Sequence, residues 1–270
     1  MYDLIIKNGK LVTPDRVYEA DIAVKDGKYA AFLAPGTDAE ATEVIDADGN
    51  LVYPGIIDCH AHLNEPGFDY REDFETGSRA AAVAGCTTLI DMPLNNDPSL
   101  MNKEIFDLKM SKITKHSYID FGLWGGIVGD FDDDPDSVHN NLADLEDLEK
   151  AGVAAFKGFT CPNGPLFPTV NMGNVREALE ILKPYKALCG FHCEEYGQVL
   201  EREKKAKAMS GRSGREKIRA FLDSHDVWTE YGLVTRESND RKWLTVADGG
   251  LSCSLSAPAG KKIPQGYRLR

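Results

Sequence analysis

A chain of 270 residues, 42% hydrophobic and 27% charged, is long enough for one large core or a core with a small appendage, and its composition is that of an ordinary globular protein. Its 31 basic and 43 acidic residues leave a net charge of −12, which argues against nucleic acid or an anionic membrane as the main partner. There is no signal-like N-terminus and no apolar run long enough to span a bilayer. The six cysteines (59, 86, 161, 189, 193 and 253) form no C-x-x-C pair, so reduced thiols in a cytoplasmic protein are expected.

Residues 1–54 read as short apolar runs separated by turn dipeptides: Tyr2–Ile6 closed by Asn8-Gly9, then Gly9–Thr13, Ala20–Val24 to Asp26-Gly27, Tyr29–Leu33 to Pro35-Gly36, Val44–Ala47 to Asp48-Gly49, and Leu51–Tyr53 to Pro54-Gly55. Such spacing predicts a small N-terminal β-sandwich.

From Ile56 the pattern becomes strand-then-helix. Helix is predicted over Tyr70–Ala84 with Gly85 as its stop, then strand over Thr87–Met92, helix over Lys103–Thr114, strand over Tyr118–Trp124, and helix over Leu142–Ala151 closed by Gly152. Next come strand Ala154–Phe159, helix Val175–Lys183, strand Cys189–Cys193, and helical pieces over Gln198–Met209 and Gly214–Leu222. This alternation predicts an α/β protein with parallel strands, either a barrel or a doubly wound sheet. The acidic run Phe131–Asp136 lacks EF-hand spacing and reads as a solvated turn.

Three predicted strand ends carry chemistry. In Asp58-Cys59-His60-Ala61-His62 the two imidazoles are two residues apart, so an extended backbone points both to one side, where they can share an ion. An isolated His-x-His is more often a metal-free pair; here an apolar strand enters it, Asp58 precedes it and the turn Asn64-Glu65-Pro66-Gly67 follows. Lys157 sits inside Ala154-Ala155-Phe156-Lys157-Gly158-Phe159, where a free ammonium is costly to bury; it is salt-bridged, snorkelling or chemically altered. His192 lies in Gly190-Phe191-His192-Cys193-Glu194 at the end of the following strand. Active groups of α/β barrels occupy these strand ends.

Asp-x-His-x-His at a strand end resembles the first metal motif of the amidohydrolase superfamily, and the longer string resembles its cyclic-amidase branch, the dihydroorotase, hydantoinase and allantoinase families. The resemblance covers residues 1–230. It implies a (β/α)8 barrel in which His60, His62, Lys157 and His192 bind two divalent metal ions, zinc expected, with Lys157 carboxylated to a bridging carbamate. It further implies hydrolysis of a cyclic amide: a bridging water with a pKa lowered towards ~7 attacks a ring carbonyl, and a carboxylate carries the proton to the departing nitrogen. Asn64 stands where dihydroorotases usually have a carboxylate-binding Arg. Asp91-Met92-Pro93-Leu94-Asn95-Asn96 and Phe121-Gly122-Leu123-Trp124-Gly125-Gly126 are similar to allantoinase signatures. Allantoin is therefore the favoured substrate, a neutral ureide for which Asn64 and Asn95 are expected partners; other hydantoins and dihydroorotate remain alternatives. A homo-oligomer is an expectation carried over from the family.

After Tyr231 the pattern departs from the family. No histidine follows His225, which reads as structural in a helix-to-helix turn, and Ser254 of Cys253-Ser254-Leu255-Ser256-Ala257-Pro258 falls where a metal histidine would stand. No residue matches the general-base aspartate. The residues after the first 54 fall short of the ~250 typical of a closed barrel, with five or six βα units. The expectation is thus an incomplete (β/α)8 TIM-type barrel: residues 1–54 a small β-sandwich, 55–231 the N-terminal part of the barrel, and 232–270 a divergent tail. Activity would be impaired by truncation, and a non-catalytic truncated relative is the alternative from another class.

Overall fold

The structure is a computed structural model. It describes residues 1–129, 140–208 and 213–225, and the backbone of 245–246. The acidic run Phe131–Asp136 and Ser254 lie outside the described residues, as does all of the tail except Thr245–Val246. The chain divides into two compact units, Met1–Ile56 and Ile57–Arg270.

In the first unit β1 (Tyr2–Val12), β2 (Val17–Lys25), β3 (Lys28–Leu33), β4 (Ala41–Asp46) and β5 (Leu51–Val52) hydrogen-bond into one mixed sheet, ordered β3-β2-β1-β4 with β5 also on β1. β2 is antiparallel to β1, whereas β4 and β5 run parallel to it. Asn8-Gly9 corrects the sequence reading, because the two runs expected on either side of a turn are one strand. The register shifts between Ile6 and Gly9, Asn8 takes φ +56°, and its N–H donates to Asp21 Oδ1 at 3.0 Å. A bulge absorbs the left-handed residue without ending the ladder. Leu11, Ala20 and Ile22 form the buried cluster of this unit, with Ile6, Tyr18, Val24 and Val52 against it.

The second unit alternates as expected: β6 (Ile56–Ala61), α1 (Phe74–Val83), β7 (Cys86–Asp91), α2 (Lys103–Ile113), β8 (Asp120–Gly126), α3 (Leu145–Ala151), β9 (Ala155–Phe159), α4 (Met172–Leu182), β10 (Cys189–His192), α5 (Tyr196–Ala208), α6 (Gly214–Ser224) and β11 (Thr245–Val246). The six strands follow the order β11-β10-β9-β8-β7-β6, and the pairings from β7 through β11 are parallel. Successive neighbours in chain order, each separated by a helix, make this sheet the strand layer of an incomplete (β/α)8 barrel.

Helix starts fall at capping residues rather than where apolar periodicity begins. α1 starts at Phe74, not Tyr70, because Asp73 accepts the Thr76 N–H at 2.7 Å and closes a capping box. Asn171 likewise starts α4 before Val175 by accepting the Asn174 N–H at 2.9 Å. Beneath the helices lies a core that includes Phe74, Leu89, Phe106, Ile113, Leu123, Leu148, Phe156 and Phe191. Buried Asn141 ties the end of β8 to the loop before α2. Its amide donates to Met101 O at 2.7 Å and Gly126 O at 2.8 Å, and its Oδ1 accepts the Val128 N–H at 3.0 Å.

Candidate metal centre

His60 and His62 lie at and just past the end of β6 with ring centroids 5.4 Å apart. Three contacts fix His62. Asn64 donates to its carbonyl at 3.2 Å, the Asn95 amide meets its Nδ1 at 3.2 Å, and the next residue, Leu63, gives its N–H to Asp91 Oδ1 at 2.7 Å. Asn64 and Asn95 both hold left-handed backbones, φ +55° and +63°, a conformation asparagine tolerates better than most residues. Their two loops touch at Gly67, where a Cβ would lie 2.4 Å from Asp97 O, and the Asp97 N–H donates to Pro66 O at 2.9 Å. Only a glycine allows that approach at φ +96°.

Lys157 occupies the middle of β9 and is 1% exposed. Its registered neighbours are Gly126 on β8 and Gly190 on β10, and the Phe167 ring fills the space that a side chain at Gly126 would take. Two residues on, Phe159 is registered with His192. The Lys157 ammonium lies 5.0 Å from the centre of the Phe159 ring, and the His192 ring stacks on Phe159 at 5.2 Å and 20°. His192 Nε2 meets Glu194 Oε1 at 2.7 Å.

The two groups are electrostatically linked. Burial lowers the His62 imidazole below its ordinary pKa, the charge of His60 lowers it further, and Lys157 adds to the same effect, while Asp91 opposes it. A neutral imidazole offers the lone pair a metal needs, so this donor set fits a divalent ion. The structure brings His60 to His62, Lys157 within electrostatic reach of His62, and His192 to Lys157 through one shared ring. His225, by contrast, caps α6, with Nδ1 2.8 Å from Ser224 Oγ and its ring on Phe221.

Sequence reasoning missed two contributors, Asp91 and Cys161, and noted Glu194 only as following His192, with no role. Asp91, quoted only within a signature, is fully buried and paired with Lys109 Nζ at 2.5 Å. Burial pushes its carboxyl up, and Lys109 and the Leu63 N–H pull against that. Cys161 and Glu194 join His192 in a group whose ligand atoms all lie within 4.8 Å of one another. Burial and then the Glu194 charge push the Cys161 thiol up to about 12. Glu194, two residues after His192, was the one member of this group besides His192 that the sequence placed at that strand end.

A family model, the amidohydrolase family, matches residues 51–233. The chain belongs to the amidohydrolase family. Among amidohydrolase relatives it is 36% identical over 236 residues to an allantoinase of Desulfitobacterium hafniense strain Y51, covering 87% of this chain and 49% of that protein. It is 40% identical over 235 residues to an allantoinase of Bacillus velezensis, with the same two coverages. An allantoinase of Salmonella paratyphi B matches at 35% identity across 96% of the chain and 54% of that protein, so that likeness continues past Tyr231. The L-hydantoinase (dihydropyrimidinase) from Arthrobacter aurescens superposes with a TM-score of 0.80 at 32% identity, over 91% of this chain and 52% of that one. The chain thus spans about half the length of the curated relatives it matches.

Proposed function

We propose that this chain carries the metal-binding part of an allantoinase-type cyclic amidase that opens the hydantoin ring of allantoin to allantoate. Two divalent ions, zinc expected, would be held by His60, His62, a carboxylated Lys157 and His192. The observation that carries this reading is Lys157: nearly fully buried, flanked by Gly126 and Gly190, and facing the ring that His192 stacks on. A carbamate on Lys157 would lie beside the Phe159 ring that His192 stacks on, and its negative charge would offset part of the charge of two cations. When bound, the ions supply a water acidic enough to attack at neutral pH and an electrophile for the ring carbonyl.

The chain's own residues position and hold. Glu194 Oε1 accepts from His192 Nε2 and orients that ring, Asp91 fixes the backbone beside His62 through the Leu63 N–H, and Asn64 and Asn95 offer amides to a neutral ureide. The names of the relatives at 36% and 40% identity favour allantoin, whereas the likeness to the L-hydantoinase favours another hydantoin as the second reading. We place residues 1–54 as a β module, 55–231 as the barrel part and 232–270 as a tail. Five free cysteines among the described residues agree with a cytoplasmic setting.

Purified zinc-loaded protein assayed on allantoin, hydantoin and dihydroorotate side by side tests the reading, with metal content measured on the same sample. About two ions per chain and preference for allantoin are expected. Faster turnover of another ring reassigns the substrate; negligible metal and no turnover on any ring overturn the hydrolase. Labelling with carbon-13 bicarbonate should give a carbamate signal that Lys157→Ala removes.

A further inference from the structure

Cys161 takes no part in the hydrolytic reading and Glu194 only orients His192 there, yet the ligand atoms of all three lie within 4.8 Å of one another. Cys161 and Glu194 are each 5% exposed, while the His192 side chain is 26% exposed and opens the group to solvent. We propose that Cys161, His192 and Glu194 form a thiolate-containing site for a thiophilic divalent cation, and that filling it withdraws His192 from the set it shares with His60, His62 and Lys157.

The group is built rather than incidental. Thr160 clamps the two strand ends that carry it: its N–H donates to His192 O at 3.0 Å, its Oγ1 lies 3.1 Å from His192 O and 3.0 Å from Glu194 O, and it accepts the Glu194 N–H at 3.2 Å. Cys161 O accepts from Thr169 Oγ1 at 2.8 Å, which fixes the far side. A four-coordinate ion with bonds of roughly 2.0–2.3 Å places its ligand atoms roughly 3.5 Å apart. Atoms already within 4.8 Å need close by only about an ångström, and the His192–Glu194 contact at 2.7 Å opens slightly to admit the ion. One sulfur, one imidazole nitrogen and one carboxylate oxygen leave a fourth position for water. A soft donor selects cadmium or zinc over magnesium or calcium. Binding breaks the Cys161 S–H bond and forms a metal–sulfur bond, with that proton passing to bulk water, the His192 Nε2 proton moving to Nδ1 so that Nε2 can ligate, and no change of oxidation state.

The site stands independently of hydrolysis; only its inhibitory consequence rests on the proposed function. Metal-free protein of this sequence titrated with Cd²⁺ should develop thiolate-to-cadmium charge-transfer absorption saturating at one equivalent. Cys161→Ser should lose the band, exposed Cys59→Ser should keep it, and Glu194→Gln should weaken binding about tenfold or more. A band that survives Cys161→Ser, or fails to form in the wild type, overturns the site. Should Cys161→Ser not fold by far-ultraviolet circular dichroism, cadmium-edge X-ray absorption on the wild type decides instead: one sulfur with nitrogen and oxygen neighbours supports the site, and oxygen and nitrogen alone overturn it. If turnover is present, Cd²⁺ should inhibit it in parallel with the band and Cys161→Ser should resist. Equal inhibition of both forms removes the inhibitory consequence and leaves the binding result intact.

Discussion

Asn95 holds its backbone at φ +63° to bring its amide to His62 Nδ1, 3.2 Å away. If the amide nitrogen faces Nδ1, that atom accepts and Nε2 carries the proton, so Nε2 has no lone pair for an ion. Rotating the amide by half a turn lets Oδ1 accept an Nδ1–H and frees Nε2, and the two orientations have the same shape. Asn95 is then a positioning residue for His62. Asn95→Ala should lower metal affinity about 10–100-fold in chelator competition and cost about 1 kcal/mol of stability from its left-handed backbone, while Asn95→Asp keeps both the acceptor and the tolerance of that backbone and should restore much of the affinity. Unchanged affinity with a raised KM would make Asn95 a substrate contact instead. Asp91 and Lys109 pose a different residue-scale problem. Each is 1% exposed, so Lys109→Met strands a buried carboxylate and should cost about 3–5 kcal/mol in urea denaturation. The double change Asp91→Leu with Lys109→Met should cost less than that single change; an equal or larger loss would mean the pair stabilises through its hydrogen bonds to the loop rather than by charge neutralisation.

At the scale of elements, the cap of α1 shows how local chemistry sets a boundary. The Thr76 N–H and hydroxyl donated to Asp73 lower its carboxyl below the ordinary value of 3.8. A depressed acid contributes stability that is present above its unfolded-state pKa and lost as pH falls through the folded one. Asp73→Ala should therefore destabilise by about 1 kcal/mol at neutral pH, with the difference from wild type closing below the ordinary value of 3.8. Thermal melts across that range check the sign, and a gap that persists in strong acid would point to helix propensity instead. The same cap explains what the sequence could and could not convey. The alternation of strands and helices from Ile56 to Ser224 was legible because short apolar runs alternate with helical stretches, two of them closed by glycines at 85 and 152, whereas the choice of a barrel over a doubly wound sheet came from the family resemblance. The cap at Asp73 was not, because Tyr70–Glu72 carry residues as compatible with a first helical turn as with the bend they form. At the site, His60, His62, Lys157 and His192 stood out by spacing and by an ionisable group inside an apolar run. Asp91, Cys161 and Glu194 owe their significance to the register of adjacent strands and to Thr160, neither of which leaves a periodic trace.

For the molecule as a whole, exposed apolar residues on both units bear on association, against a net charge of −12 that opposes it. Ile45, Ile6, Ile22 and Phe32 are registered in one row across β4, β1, β2 and β3. The inner two pack in the small core, while Ile45 is 45% and Phe32 58% exposed, and Tyr29 stacks beside Phe32 at 6.0 Å. On the second unit, Ile218, Phe221 and Leu222 leave one side of α6 apolar and open. Ile45 and Phe32 stand on the two outer strands of the sheet order, and burying both against a second copy gains roughly 25 cal/mol per Å² without undoing the Ile6 and Ile22 packing between them. The purified chain should therefore self-associate, with a sedimentation coefficient that rises with concentration. Replacing Phe32 and Ile45 together by serine removes the exposed ends of the row and leaves Ile6 and Ile22 in place. That variant should keep its far-ultraviolet circular dichroism and sediment as a smaller species at the same concentration. Unchanged sedimentation would move the contact to α6, where Phe221→Ser is the corresponding change. Concentration-independent monomer in the wild type would show that the row is too short to hold two chains together.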